Sequence, residues 1–121
     1  IESRGFVFAS AVSYLLKKPF ILLRKKNKLP ADVHSVDFEL EYGAATIEVH
    51  KDSISESEKV LIIDDLIATG GTAEAAAKLV SISGGEIAGF IFVINLFDLS
   101  GSDNLIKKGF SVENLIEFPG H

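Results

Sequence analysis

Apolar positions recur along this chain in two periods, and the change from one to the other marks out its elements. In "GFVFASAVSYLLKK", Phe6, Ala9 and Val12 follow each other at steps of three, and Leu15 and Leu16 lie three and four residues beyond Val12, which predicts a helix. Lys17 and Lys18 suit its C-terminus and Pro19 stops it. "FILLRK" predicts a short buried strand, and "KNKLPADVHS", with Pro30 and no usable period, a loop. "FELEY" and "TIEVH" alternate apolar and polar residues on either side of Gly43, the pattern of an antiparallel hairpin. "KVLIID" is a continuous apolar run, as expected of a central parallel strand buried on both faces. An Ala-rich helix is predicted from about Thr72 to Ser83, with Glu74 and Lys78 at i,i+4 spacing and Gly84 and Gly85 ending it. "EIAGFIFVINL" predicts a second buried strand, "GSDNLIKKG" a short helix or turn, and "FSVENLIEF" a last strand. Helices alternating with apolar strands predict an α/β fold with an inserted hairpin as the one departure.

Composition narrows this picture. A length of 121 residues with 47% apolar content suits a single domain with one hydrophobic core. No apolar run approaches the ~18 residues of a membrane span, and the first residues lack the pattern of a secretory signal. The absence of Cys excludes disulfides and thiolate metal sites but is compatible with any redox compartment, so cytoplasm is only the default location. The net charge of −5 argues against a nucleic-acid partner, although four of the five residues in "RKKNK" (Arg24 to Lys28) are basic. The chain has no Met and opens on "IESRGF" without a lead-in strand, so it is expected to be an N-terminally incomplete piece.

The chemistry concentrates in "VLIIDDLIATGGT", Val60 to Thr72. Two adjacent carboxylates repel each other and need compensation by solvent, a cation or a polyhydroxylated ligand. Asp64 and Asp65 stand at the carboxyl end of a predicted strand, where open α/β sheets bind ligands. Ala68, Thr69, Gly70, Gly71 and Thr72 then turn into a helix start, whose unpaired N–H groups and dipole favour a phosphate. The two glycines allow close backbone approach and the two threonines add donors. Acids taking the protons of sugar hydroxyls beside a phosphate seat point to a ribose 5-phosphate. Taken alone, paired acids also suit a phospho-acceptor receiver domain that holds Mg²⁺. A receiver needs no phosphate-cradling glycines at this place, so "ATGGT" favours the sugar phosphate.

This stretch resembles the phosphoribosyl-pyrophosphate (PRPP) signature of type I phosphoribosyltransferases. "ESRGFVF", "RKKNKLP" and "ELEYGAATIEVHKD" are similar, in order and spacing, to segments of the adenine-specific members, from Ile1 to about Leu99. The resemblance implies a parallel-sheet phosphoribosyltransferase core with helices on both faces and an inserted antiparallel hairpin and flexible loop. It implies a single domain over residues 1–121 that lacks an N-terminal strand and purine hood. It implies transfer from PRPP to adenine, giving AMP and pyrophosphate, with Mg²⁺ bound mainly through PRPP, in a protein that is a homodimer when intact. Asp64 and Asp65 would hold the ribose hydroxyls and Ala68 to Thr72 the 5′-phosphate. Arg4 would belong to a pyrophosphate loop with a cis peptide at Glu2–Ser3. Arg24, Lys25 and Lys28 would meet the leaving pyrophosphate, and residues from about Lys26 to Val36 would form a mobile lid with the hairpin. Glu41 would handle a purine proton, with Tyr42 beside it and Leu96 against the purine ring. The chain departs from the family pattern in "INLFDLSGSDNL", at Asn95 and from Gly101 to Leu105.

Other readings stand beside these. A protein of the same fold could bind PRPP as a regulator without turnover, or transfer to another purine. A basic run such as "RKKNK" is usually a solvated loop. Glu41 is also the outward position of an alternating strand, and Arg4 could merely cap a strand. His34, His50 and His121 share no metal-ligand spacing and read as surface residues.

Overall fold

Six strands divide into two three-stranded sheets, seen in a computed structural model that describes residues 1–40 and 42–120. The elements are α1 (Gly5–Leu16), β1 (Arg24–Lys25), β2 (Val33–Leu40), β3 (Gly43–His50), β4 (Lys59–Ile67), α2 (Gly71–Ile82), β5 (Glu86–Leu96), α3 (Gly101–Lys107) and β6 (Val112–Phe118). A 3-10 turn, Phe97–Leu99, joins β5 to α3. Strands β4, β5 and β6 are parallel in that order, and β1, β3 and β2 form a separate antiparallel sheet.

Ala-rich α2 packs against β2 and β3 of one sheet and β4 and β5 of the other. Ala73, Ala75, Ala76, Ala77, Leu79 and Val80 are all buried, so small side chains cover most of its circumference and let both sheets approach. Under it Phe90, Phe92 and Leu105 complete the core, with the rings of Phe90 and Phe110 edge-on at 5.4 Å between centroids. Glu74 pairs with Lys108 beyond α3, at 3.2 Å. No helix among the described residues is long and apolar enough to cross a membrane.

Three sequence expectations change. "FILLRK" is not a strand except at Arg24 and Lys25, which pair with Glu48 and Ile47. The Leu23 carbonyl instead accepts the Glu2 N–H at 2.9 Å. Nor is "KVLIID" central: among the described strands β4 borders only β5, and its apolar run is covered by α1 and α2. The expected loop is shorter, because β2 begins at Val33, opposite His50, and continues in register to Leu40 opposite Gly43. The alternation of Val36, Phe38 and Leu40 reaches back further than "FELEY" suggested, and Val36 and Phe38 pack on the core.

Of the segment expected to form a lid, residues 26–32 are therefore what lies outside β2. They form a turn and bend outside any strand, and all but Leu29 are exposed. Limited proteolysis of the free chain is expected to cut there first, with Val33 to Val36 protected by their ladder with β3. First cleavage inside Val33 to Val36 would contradict this register.

Candidate active site

The carboxyl end of β4 delivers Asp64 and Asp65 into a cavity of about 460 Å³, which is also lined by Ala68 to Thr72, Arg4 and Lys25. These nine are sequence-assigned residues brought into one place. The floor is a bend over Ala68–Gly70, after which α2 starts at Gly71. Gly70 takes a left-handed conformation, φ +92°, and no side chain caps the helix. The first N–H groups of a twelve-residue helix are thus left to a ligand, which is the physical requirement for a phosphate seat.

The paired acids are compensated unequally. Arg4 Nε lies 2.5 Å from Asp65 Oδ2, so one charge is met by a cation on the neighbouring loop. Asp64 Oδ1 accepts the Asp65 N–H at 2.9 Å. Burial pushes the Asp64 carboxyl up to about 6, against the opposing pull of that N–H, with the Asp65 charge adding to the rise. The site therefore holds one carboxylate that is costly to ionise without a partner.

Arg24 and Lys28 are held elsewhere. Both meet the Glu2 carboxylate, Arg24 Nη2 at 3.1 Å and Lys28 Nζ at 2.7 Å from Oε1, while Oε2 accepts the Lys25 N–H at 2.5 Å. Burial raises the Glu2 carboxyl, but the hydrogen bonds from Lys28, the Lys25 N–H and Arg24 outweigh it and bring it down to about 2. The peptide bond Glu2–Ser3 is cis. Tyr42 is 90% exposed, and Leu96 lies at the end of β5 opposite Phe118, outside the cavity wall. Glu41 lies outside the described residues.

Sequence reasoning missed two supports. Glu2, read only as part of a loop, is the anion that organises the basic cluster. Gly101, read as a helix start and a departure from a family pattern, braces the Ala68–Gly70 bend: its N–H donates to the Ala68 carbonyl at 3.1 Å, and its Cα would stand 3.0 Å from a Cβ on Gly70. A glycine at the start of an expected helix was the available signal for Gly101. Nothing in the sequence signalled the partners of Glu2. A second cavity, about 430 Å³ between α1 and β4, is walled mainly by apolar residues such as Val12, Leu16 and Ile62, with Lys18, Glu58 and Lys59 also lining it.

The family model described as a phosphoribosyl transferase domain matches residues 1–119. The chain is 80% identical over 121 residues to the adenine phosphoribosyltransferase of Pelagibacter ubique (strain HTCC1062), spanning 100% of this chain and 69% of that protein. The crystal structure of adenine phosphoribosyltransferase from Thermoanaerobacter pseudethanolicus is similar with a TM-score of 0.92 at 44% identity, over 97% of this chain and 67% of that one. The Saccharomyces cerevisiae adenine phosphoribosyltransferase, solved with an imino-altritol bisphosphate and adenine, has a TM-score of 0.88 at 37% identity, over 94% of this chain and 63% of that one.

Proposed function

The chain belongs to the phosphoribosyltransferase family, within its adenine phosphoribosyltransferases, and from that premise we propose that it transfers the phosphoribosyl group of PRPP to adenine. The observation that carries the reading is the single cavity in which paired carboxylates, an uncapped helix start and the cations Arg4 and Lys25 converge. The reaction breaks the bond from ribose C1 to the pyrophosphate oxygen and forms one from C1 to a ring nitrogen of adenine. Pyrophosphate leaves, AMP forms, and the purine gives up a proton.

Each group on the page has a task in this chemistry. The N–H groups at the start of α2 and the hydroxyls of Thr69 and Thr72 bind the 5′-phosphate. Asp64 and Asp65 accept hydrogen bonds from the ribose hydroxyls, which fixes C1 and offsets the cost of ionising Asp64. Arg4 and Lys25 face the departing pyrophosphate and stabilise the charge that grows on it. The purine end is assigned by family resemblance to Glu41, Tyr42 and Leu96. Mg²⁺ fits this donor set as an ion held chiefly by substrate oxygens: the wall supplies hard carboxylate oxygens, and no group of three or more ligating side chains occurs among the described residues. When bound, it supplies positive charge to the pyrophosphate. A homodimer in the cytoplasm is the setting that the resemblance favours.

A melting scan tests the binding half of this reading. Ligand bound only by the native state adds RT ln(1 + [L]/Kd), which is ~2.7 kcal/mol at ~100-fold over Kd. For a chain of this size that raises Tm by on the order of 10 °C. An unchanged Tm in millimolar Mg²⁺–PRPP would contradict it.

A further inference from the structure

The four basic residues between Arg24 and Lys28 do not act as one patch, and the division among them is made by a single buried anion. The Glu2 side chain is 4% exposed and touches three of its neighbours along the basic run: Arg24 and Lys28 through their side chains, Lys25 through its backbone. Its own N–H is tied to Leu23. Arg24 is further packed, its guanidinium 6.0 Å from the centroid of the Phe6 ring. Of the three, only Lys25 lines the cavity. On the other side of Glu2 the chain passes directly to Ser3 and Arg4, which line the same cavity.

We propose that Glu2 is a positioning residue that clamps the loop carrying Arg4 to the strand carrying Lys25, consuming Arg24 and Lys28 as its struts. The two cations that reach the cavity come from separate parts of the chain, and Glu2 is the contact that sets them side by side. This rests on the functional reading of the cavity as a PRPP site. It also makes a prediction opposite to that of simple electrostatics. A buried negative charge beside an anion site should weaken anion binding through its field, so neutralising it should tighten binding. If Glu2 works by position, neutralising it loosens the tie between Lys25 and the loop carrying Arg4, although Arg4 keeps its ion pair with Asp65, and binding weakens despite the gain of positive charge.

The test is calorimetric titration of Mg²⁺–PRPP into the 121-residue chain and into Glu2→Gln, Glu2→Asp, Lys25→Ala and the Glu2→Gln/Lys25→Ala double variant, each checked for folding by its melting curve. Glu2→Gln is expected to weaken PRPP binding by ~10-fold, and Glu2→Asp, which keeps the charge but falls short of its partners, to weaken it as well. Lys25→Ala is expected to weaken binding several-fold in the original chain and by less than twofold beside Glu2→Gln, because its side chain is then already misplaced. A purely structural loss would lower Tm without this coupling. Binding by Glu2→Gln as tight as or tighter than that of the original chain, or an equal cost of Lys25→Ala in both backgrounds, would overturn the proposal. Should Glu2→Gln not fold, wild-type affinity in Glu2→Asp would overturn it instead. If the unsubstituted chain bound no PRPP, the functional reading would fall and this inference with it.

Discussion

Asp64→Asn is expected to make the ligand-free chain more stable while it removes most of the affinity for PRPP. The sign follows from the carboxyl being raised to about 6, well above its ordinary value of 3.8. The folded state holds that proton more tightly than the unfolded one, so Asp64 supports the fold at low pH. Its contribution is lost as pH rises from about 4 through about 6. Above that range the ionised group is a net cost, and because Asp64 is partly in contact with solvent the cost is on the order of 1 kcal/mol. An amide keeps the acceptor for the Asp65 N–H and carries no charge, so Tm should rise by ~3–6 °C at pH 7.5. The difference between variant and original should shrink towards pH 4. Against PRPP the same change loses charge-assisted hydrogen bonds from the ribose hydroxyls, ~1.5–3 kcal/mol or roughly 10- to 100-fold in Kd. Melting scans across pH with parallel calorimetry check both halves. A variant that binds PRPP normally would show that the ribose sits elsewhere.

The two glycine positions of the α2 segment separate binding from folding. A Cβ on Gly71 would stand 3.5 Å from the Glu39 carbonyl oxygen and 3.8 Å from Phe38 Cδ2, ordinary contact distances, so the free protein has room for it. On the proposed reading, the larger side chain of Gly71→Val then crowds the uncapped N–H groups at the start of α2 that would hold the phosphate. A loss of ~10²-fold in PRPP affinity is expected, with a small change in Tm. Gly84 has the opposite character. It sits past the C-terminus of α2 at φ +91°, where its carbonyl accepts the Ser57 N–H at 2.8 Å and a Cβ would come within 2.6 Å of the Glu56 carboxylate. Gly84→Ala should cost ~1–2 kcal/mol of stability and leave the PRPP affinity of the folded chain unchanged. Equal affinity losses in the two variants would make "ATGGT" a structural turn and no more.

The elements that the sequence disclosed are those whose local signal and tertiary environment agree. "EIAGFIFVINL" became β5 over its whole length because it is central in its sheet. The Ala-rich helix came out within a residue at each end because small side chains suit both helix formation and a place between two sheets. That the Ala68–Thr72 segment and the two acids would meet in one cavity was legible, because glycines at a helix start and acids at a strand end are local signals, whatever surrounds them. The failures are long-range. "FILLRK" has strand composition, but its backbone is engaged by Glu2, more than twenty residues before its paired end. The early start of β2 depends on partners in β3, including Glu48, whose Oε2 accepts from Ser35 Oγ at 2.7 Å. The basic run looked uniform because charge is visible in a sequence and its counter-charge is not.

The most direct measurement is transfer itself: the chain incubated with PRPP, Mg²⁺ and labelled adenine, with products separated by chromatography. AMP and pyrophosphate are expected in equal amounts, dependent on PRPP, with little nucleotide formed from hypoxanthine and a rate strongly reduced in Asp64→Asn. Saturable PRPP binding with no AMP formed would contradict the enzyme and leave a PRPP-binding protein on the same fold.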